Sequence, residues 1–105
     1  MIVRLTFCKF LPQHIAEAKR IYKEEITPIV KRQKGNMGIK LLEPADKKDD
    51  FISITEWKTL QDAEAYHTTG AYKKLISKLD GFFLKEPTLK TYTVEKISEP
   101  LQHLL

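Results

Sequence analysis

Cysteine occurs once, at Cys8, so no internal disulfide can staple this chain. No internal repeat or low-complexity tract appears, and there is no CxxC, HExxH, GxGxxG or Gly-rich phosphate loop, which leaves metal, nucleotide and flavin chemistry without a motif. His14 and His103 have no partner at metal-ligand spacing. Arginine is scarce: of 18 basic residues only Arg4, Arg20 and Arg32 are arginine, whereas nucleic-acid readers rely on its bidentate fork. The lysines are scattered, and the group Lys31, Arg32 and Lys34 closes a helical pattern where the helix dipole favours cations, so the net charge of +4 implies no nucleic-acid partner. No apolar run approaches the ~20 residues of a membrane span. The opening Met-Ile-Val-Arg-Leu-Thr lacks the charged start, apolar run and cleavage site of a secretory leader. These absences read as a cytoplasmic chain with no membrane partner.

A chain of 105 residues is one domain with a single core. Residues 2–10 alternate as a strand, with Val3, Leu5 and Phe7 on one face and Arg4, Thr6 and Cys8 on the other. Pro12 suits the first turn of a helix, and Ile15, Ala18, Ile21, Tyr22, Ile26, Ile29 and Val30 recur at helical spacing. Pro28 cannot donate to its i−4 carbonyl, which predicts a kink or break near Glu25 to Pro28 before Gly35-Asn36 ends the helix. Met37 to Glu43 and Phe51 to Trp57 read as a hairpin joined by a polar loop. Leu60, Ala63 and Tyr66 or His67 restart a helical period that Gly70 interrupts, Tyr72 to Leu79 resume it, and Thr88 to Lys96 alternate as a last strand. The order βαββαβ predicts an α+β, ferredoxin-like fold with a four-stranded antiparallel sheet. The domain is placed at 1–97, with an apolar tail at 98–105 that docks on its own domain or on a second subunit.

In such a fold the helices cover one face of the sheet. Placing Val3, Leu5 and Phe7 against the helices leaves Ile2, Arg4, Thr6 and Cys8 on the open face, joined through alternation by Met37, Ile39 and Leu41, by Phe51, Ser53, Thr55 and Trp57, and by Leu89, Thr91, Thr93 and Glu95. That mixture is too polar for a dry core and too apolar for free water, so the expectation is a homodimer packed through its sheet faces.

The stretch from Phe51 to Asp80 carries the candidate site, because aromatic and titratable groups converge where a sheet meets a helix. Trp57 is a candidate wall, Tyr66 and Tyr72 are candidate hydrogen-bond donors, and His67 has the pKa range of a general base. Arg4 interrupts apolar neighbours and must face water, a counter-ion or a ligand, with Glu56 and Glu95 as the cross-strand counter-ions on offer.

The order and spacing of these features resemble the antibiotic biosynthesis monooxygenase family of dimeric α/β-barrel proteins. The resemblance runs from Val3 to Glu95 and rests on the long helix closing at Lys34-Gly35, the Glu56-Trp57 strand end, Asp62-Ala63, Ala65-Tyr66-His67, Tyr72 and Pro87. It implies a cofactor-independent monooxygenase that oxidises a small aromatic or quinol-type compound with O2, with His67 as base, Tyr66, Tyr72 and Arg4 holding substrate, and Trp57 lining the wall. The alternative is a non-catalytic dimer that keeps the fold and binds a small ligand or a protein. Heme-degrading relatives use an Asn on the first strand, a Trp on the helix and an iron-binding His. Those positions fall here on Val3 or Arg4, Tyr66 and Ile76, so no heme is expected and no cofactor is assigned. Quinol-oxidising relatives commonly carry His at positions that are Tyr66 and Ala71 here, and His67 lies one residue, about 100°, further round the helix.

Overall fold

The structure, a computed structural model, describes residues 1–95. Its elements follow the expected order: β1 (Ile2–Cys8), a helical stretch from Pro12 to Lys31, β2 (Asn36–Leu42), β3 (Phe51–Trp57), α3 (Leu60–Thr68), α4 (Ala71–Ile76) and β4 (Thr88–Thr93). The four strands form one antiparallel sheet in the order β2-β3-β1-β4, the ferredoxin-like arrangement. The apolar tail at 98–105 lies outside the described residues. Among those residues, no helix is long and apolar enough to cross a membrane.

The long helix is a series of different turns. A short 3-10 turn at Pro12–His14 leads into α1 (Ile15–Ile21), a π-helical stretch at Tyr22–Ile26, and α2 (Thr27–Lys31). Pro28 explains the disruption that the sequence predicts, since it has no N–H for the Glu24 carbonyl. The chain answers with an i−5 bond from the Thr27 N–H to the Tyr22 carbonyl, and the Thr27 hydroxyl donates to that same oxygen at 2.9 Å. The wider π turn brings Tyr22 and Ile26, both buried, onto the face that packs against the sheet.

Gly35 ends this stretch at φ +80°, and a Cβ there would lie 2.2 Å from the Asp62 Oδ2. Only glycine meets both demands, left-handed backbone and close approach. The Gly35 carbonyl accepts from the Lys58 N–H at 2.8 Å, tying the helix end to the start of α3. Thr59 caps α3, its hydroxyl accepting from the Asp62 N–H at 3.1 Å. Gly70, at φ +90°, separates α3 from α4.

The facing of the sheet is the reverse of the expected one. Ile2, Arg4, Thr6 and Cys8 are the buried residues of β1 and face the helices, while Val3, Leu5 and Phe7 are only half-buried on the open face. Alternation sorts the residues of β1 into the right two sets but assigns them to the wrong sides, and in β2 the irregularity between Asn36 and Gly38 takes the exposed Met37 out of the alternation. The apolar set fails to mark the interior because the covered face carries a lined cavity, and the open face is itself aliphatic. Register places Leu42, Ile52, Ile54 and Tyr92 beside Val3, Leu5 and Phe7, with Lys40, Glu56 and Lys90 among them.

Candidate functional site

The space between the covered face and the helices contains a cavity of about 50 Å³, walled by residues from β1, β2, β3, β4, the π turn, α3 and α4. The pleat sends Arg4, Thr6 and Cys8 into it from β1 and Ser53 and Thr55 from β3. Tyr22 enters from the π turn, Tyr66 from α3, and Tyr72, Leu75 and Ile76 from α4. A larger groove of about 410 Å³ lies under the β2–β3 loop between Lys9, Phe51 and Leu84, and its lining carries charges of both signs in Lys9, Glu43, Lys47 and Asp49. The space under the helices is the better candidate, since ligand sites are concave, mostly apolar and carry a few fixed polar groups.

Arg4 is the dominant polar group of the cavity. It is 9% exposed; its Nη1 donates to the Ala63 carbonyl at 3.0 Å and its Nε to the Thr91 hydroxyl at 3.2 Å. Both partners are neutral. Glu56 sits opposite Val3 and therefore on the open face, and neither it nor Glu95 forms an ion pair with Arg4 among the described residues. The counter-ion account of Arg4 fails for a steric reason: the neighbouring carboxylate is on the wrong side of the pleat.

The remaining polar groups are hydroxyls. Tyr22 donates to the Lys40 carbonyl at 3.0 Å and lies 2.7 Å from the Ser53 hydroxyl. With its one proton given to the carbonyl, Tyr22 accepts from Ser53. Burial pushes the Tyr22 phenol up to about 12, with Ser53 pulling the other way. Burial also raises Tyr66 and Tyr72, in each case against a smaller opposing pull from the Arg4 charge. The Cys8 thiol is pushed up to about 12, first by burial and then by the negative charge of Asp50. At neutral pH these four groups are therefore protonated. The residues lining the cavity include no carboxylate and no imidazole.

The candidate residues divide accordingly. Arg4, Tyr66 and Tyr72 meet at the cavity, and the two tyrosine rings pack edge to face at 6.0 Å. Trp57 does not line it. It is completely buried behind Tyr66, stacked at 5.0 Å, and its Nε1 donates to the Thr55 hydroxyl at 2.9 Å, so it braces two residues that do form the wall. His67 is exposed and does not line the cavity; its ring lies 4.9 Å from that of Tyr72, which does. The reason is helical phase: Tyr66 takes the inward position, and the next residue points about 100° away. Tyr22, Thr6, Ser53 and Thr55 were missed as site residues. Their signal was available, because they share a pleat side or a helical stripe with Arg4 and Tyr66 once the facing is known.

A half-open α+β sandwich with a cavity between sheet and helices is the class that this fold and site define. The chain belongs to the antibiotic biosynthesis monooxygenase family, whose sequence profile matches residues 1–78. No curated protein matches the chain. Among solved structures, a Nitrosomonas europaea protein assigned to antibiotic biosynthesis monooxygenases is 21% identical with a TM-score of 0.73, covering 90% of this chain and 98% of its own. A Deinococcus radiodurans protein of the same assignment is 12% identical with a TM-score of 0.79, covering 95% and 98%. A mutant of MhuD with two manganese protoporphyrin IX molecules bound per active site is 15% identical with a TM-score of 0.74, covering 95% and 100%. At these identities the likeness fixes the fold and not the chemistry. Ile76, the position where the heme-degrading layout would place its iron-binding His, lines the space and offers no donor.

Proposed function

We propose that this chain is a cofactor-independent monooxygenase of a small phenol or quinol-type compound, with Arg4 holding the substrate oxygen. The observation that carries the reading is the buried guanidinium with neutral partners in an otherwise apolar, hydroxyl-lined cavity. A phenolate on Arg4 is stabilised by a charge-assisted hydrogen bond between mostly apolar walls. The electron-rich ring passes an electron to O2, and the resulting pair recombines at carbon. One oxygen atom stays as a carbonyl, and the other leaves as water with the ring hydrogen and the hydroxyl proton. The substrate loses four electrons and O2 gains four, so no further reductant is needed. Tyr66 and Tyr72 orient the ring, and Trp57 holds Tyr66 in place. Oxygen uptake with a panel of quinols, acidic phenols and hydroxyquinones tests the reading, and uptake that is absent for every compound contradicts it.

His67 separates two proton routes. A base role requires it to reach the cavity, where His67→Ala abolishes turnover. Ionisation on Arg4 leaves that variant within about twofold of wild type, since a positioned general base contributes typically ~10² or more. The second reading, a binding protein without turnover, is favoured by the absence of any proton acceptor among the lining residues. Thermal stabilisation by the panel without oxygen uptake distinguishes it.

The open sheet face supports a homodimer. Val3, Leu5, Phe7, Leu42, Ile52, Ile54 and Tyr92 share one side of the sheet, with Glu56 between them on β3 and Lys40 and Lys90 on the edge strands. A second copy would bury it by an isologous sheet-on-sheet contact. Sedimentation of wild type as a dimer and of Leu5→Glu as a monomer is the expected result.

A further inference from the structure

We infer that the cavity selects its ligand by charge, taking small phenols or enols already ionised near neutral pH and seating the anionic oxygen on Arg4. This deepens the proposed function, resting on its placement of the small-molecule site, and adds the ionisation state at which the ligand binds. Arg4 is 9% exposed, and its two recorded hydrogen bonds go to a backbone carbonyl and a threonine hydroxyl. Among the described residues its Nη2 has no acceptor and is not fully buried, since no buried side-chain nitrogen or oxygen lacks a partner, and its charge has no carboxylate within ion-pair distance. A guanidinium cannot discard its proton to escape burial, so the cost of holding it here is offset when an anion arrives.

The other side of the argument is what the wall lacks. With no carboxylate or imidazole among the lining residues and His67 exposed, nothing in the cavity takes a proton from a neutral ligand. The buried phenols and the thiol are donors at neutral pH, because burial raises all four. A single cation matches a monoanion, and a phosphate dianion would leave charge unmatched. The volume of about 50 Å³ holds a few waters, so seating a ring requires its lining to give way, and the short α4 contributes Tyr72, Leu75 and Ile76 to that lining. Ordinary quinols, ionising near the range of tyrosine, are then poorer ligands than acidic phenols, hydroxyquinones and enolised 1,3-dicarbonyls.

The test uses 4-nitrophenol, whose phenolate absorbs in the visible, with unsubstituted phenol as the neutral comparison and benzoate as an anion that has no oxidisable ring hydroxyl. Titrations under nitrogen read binding apart from turnover. Wild type is expected to bind nitrophenolate at least about tenfold more tightly than phenol and to hold it ionised about one pH unit below its free pKa. Arg4→Gln should remove that preference and Arg4→Lys restore part of it. Equal affinity for phenol and nitrophenolate, or an unchanged preference in Arg4→Gln, overturns the inference. Should Arg4→Gln not fold, wild-type affinity that fails to rise as nitrophenol ionises overturns it equally. Benzoate binding that depends on Arg4 supports the anion seat. Intact anion binding without oxygen uptake from any phenol refutes the oxygenase reading and leaves this one standing.

Discussion

Arg4→Met separates a residue kept for ligand binding from one kept for structure. The substitution removes two hydrogen bonds from a charged donor, to Ala63 O and Thr91 Oγ1. At about 1.5–3 kcal/mol each, that loss is on the order of 3–6 kcal/mol. It also removes a buried guanidinium without a carboxylate partner, whose effective desolvation penalty is several kcal/mol, and puts a flexible apolar side chain against the aliphatic wall. The acceptors left behind lose little. Ala63 lies inside α3, where an i+4 donor serves its carbonyl, and Thr91 is exposed and finds water. The opposing contributions nearly cancel, so the expected change in unfolding free energy is within about 1 kcal/mol of zero, a shift of at most about 4–8 °C in a domain of this size. Urea unfolding of wild type and variant, compared at equal slope, reads it. A loss of about 3 kcal/mol or more, the range for breaking a buried ion pair, would falsify the assignment and make Arg4 part of the scaffold.

Three further outcomes follow from the same geometry. Trp57→Phe keeps the stack on Tyr66 but deletes the Nε1 donor to Thr55, so thermal melts should show a loss of about 1–3 kcal/mol; a change under 0.5 kcal/mol contradicts the bracing role. Gly35→Ala meets both the positive φ and Asp62, so it should cost about 2–4 kcal/mol, with Asp62→Ala in the same chain returning part of that; no recovery means the strain is all backbone. Cys8 should resist thiol reagents in the folded protein, and its pH effect has a definite sign. Its folded pKa of about 12 lies above the ordinary 9.0, so its contribution is fully present below pH 9, is lost progressively as pH rises from 9 to 12, and a melting temperature that rises over that window refutes it.

Element order was legible in the sequence because each element carries its own period, and the breaks at Pro28, Gly35 and Gly70 have local backbone causes. The π form of the Pro28 disruption was not, since it depends on Thr27 finding the Tyr22 carbonyl with both its N–H and its hydroxyl. Alternation in β1 separated Arg4, Thr6 and Cys8 from Val3, Leu5 and Phe7 correctly. Which set faces inward is decided by packing, and here the more polar set lines the cavity. Residue type therefore picks out Arg4, Tyr66 and Tyr72, which line the cavity, whereas the place of His67 turns on a helical phase that one residue changes by about 100° and that of Trp57 on its packing behind Tyr66.

The most direct measurement is the position of a bound acidic phenol, taken from a crystal of the protein grown with 4-nitrophenol. The account predicts its oxygen within hydrogen-bond distance of the Arg4 guanidinium, its ring between Tyr66, Tyr72 and Leu75, and α4 displaced to admit it. A ring seated outside, against His67 or in the groove between Lys9 and Leu84, with Arg4 still bonded only to Ala63 and Thr91, would contradict it.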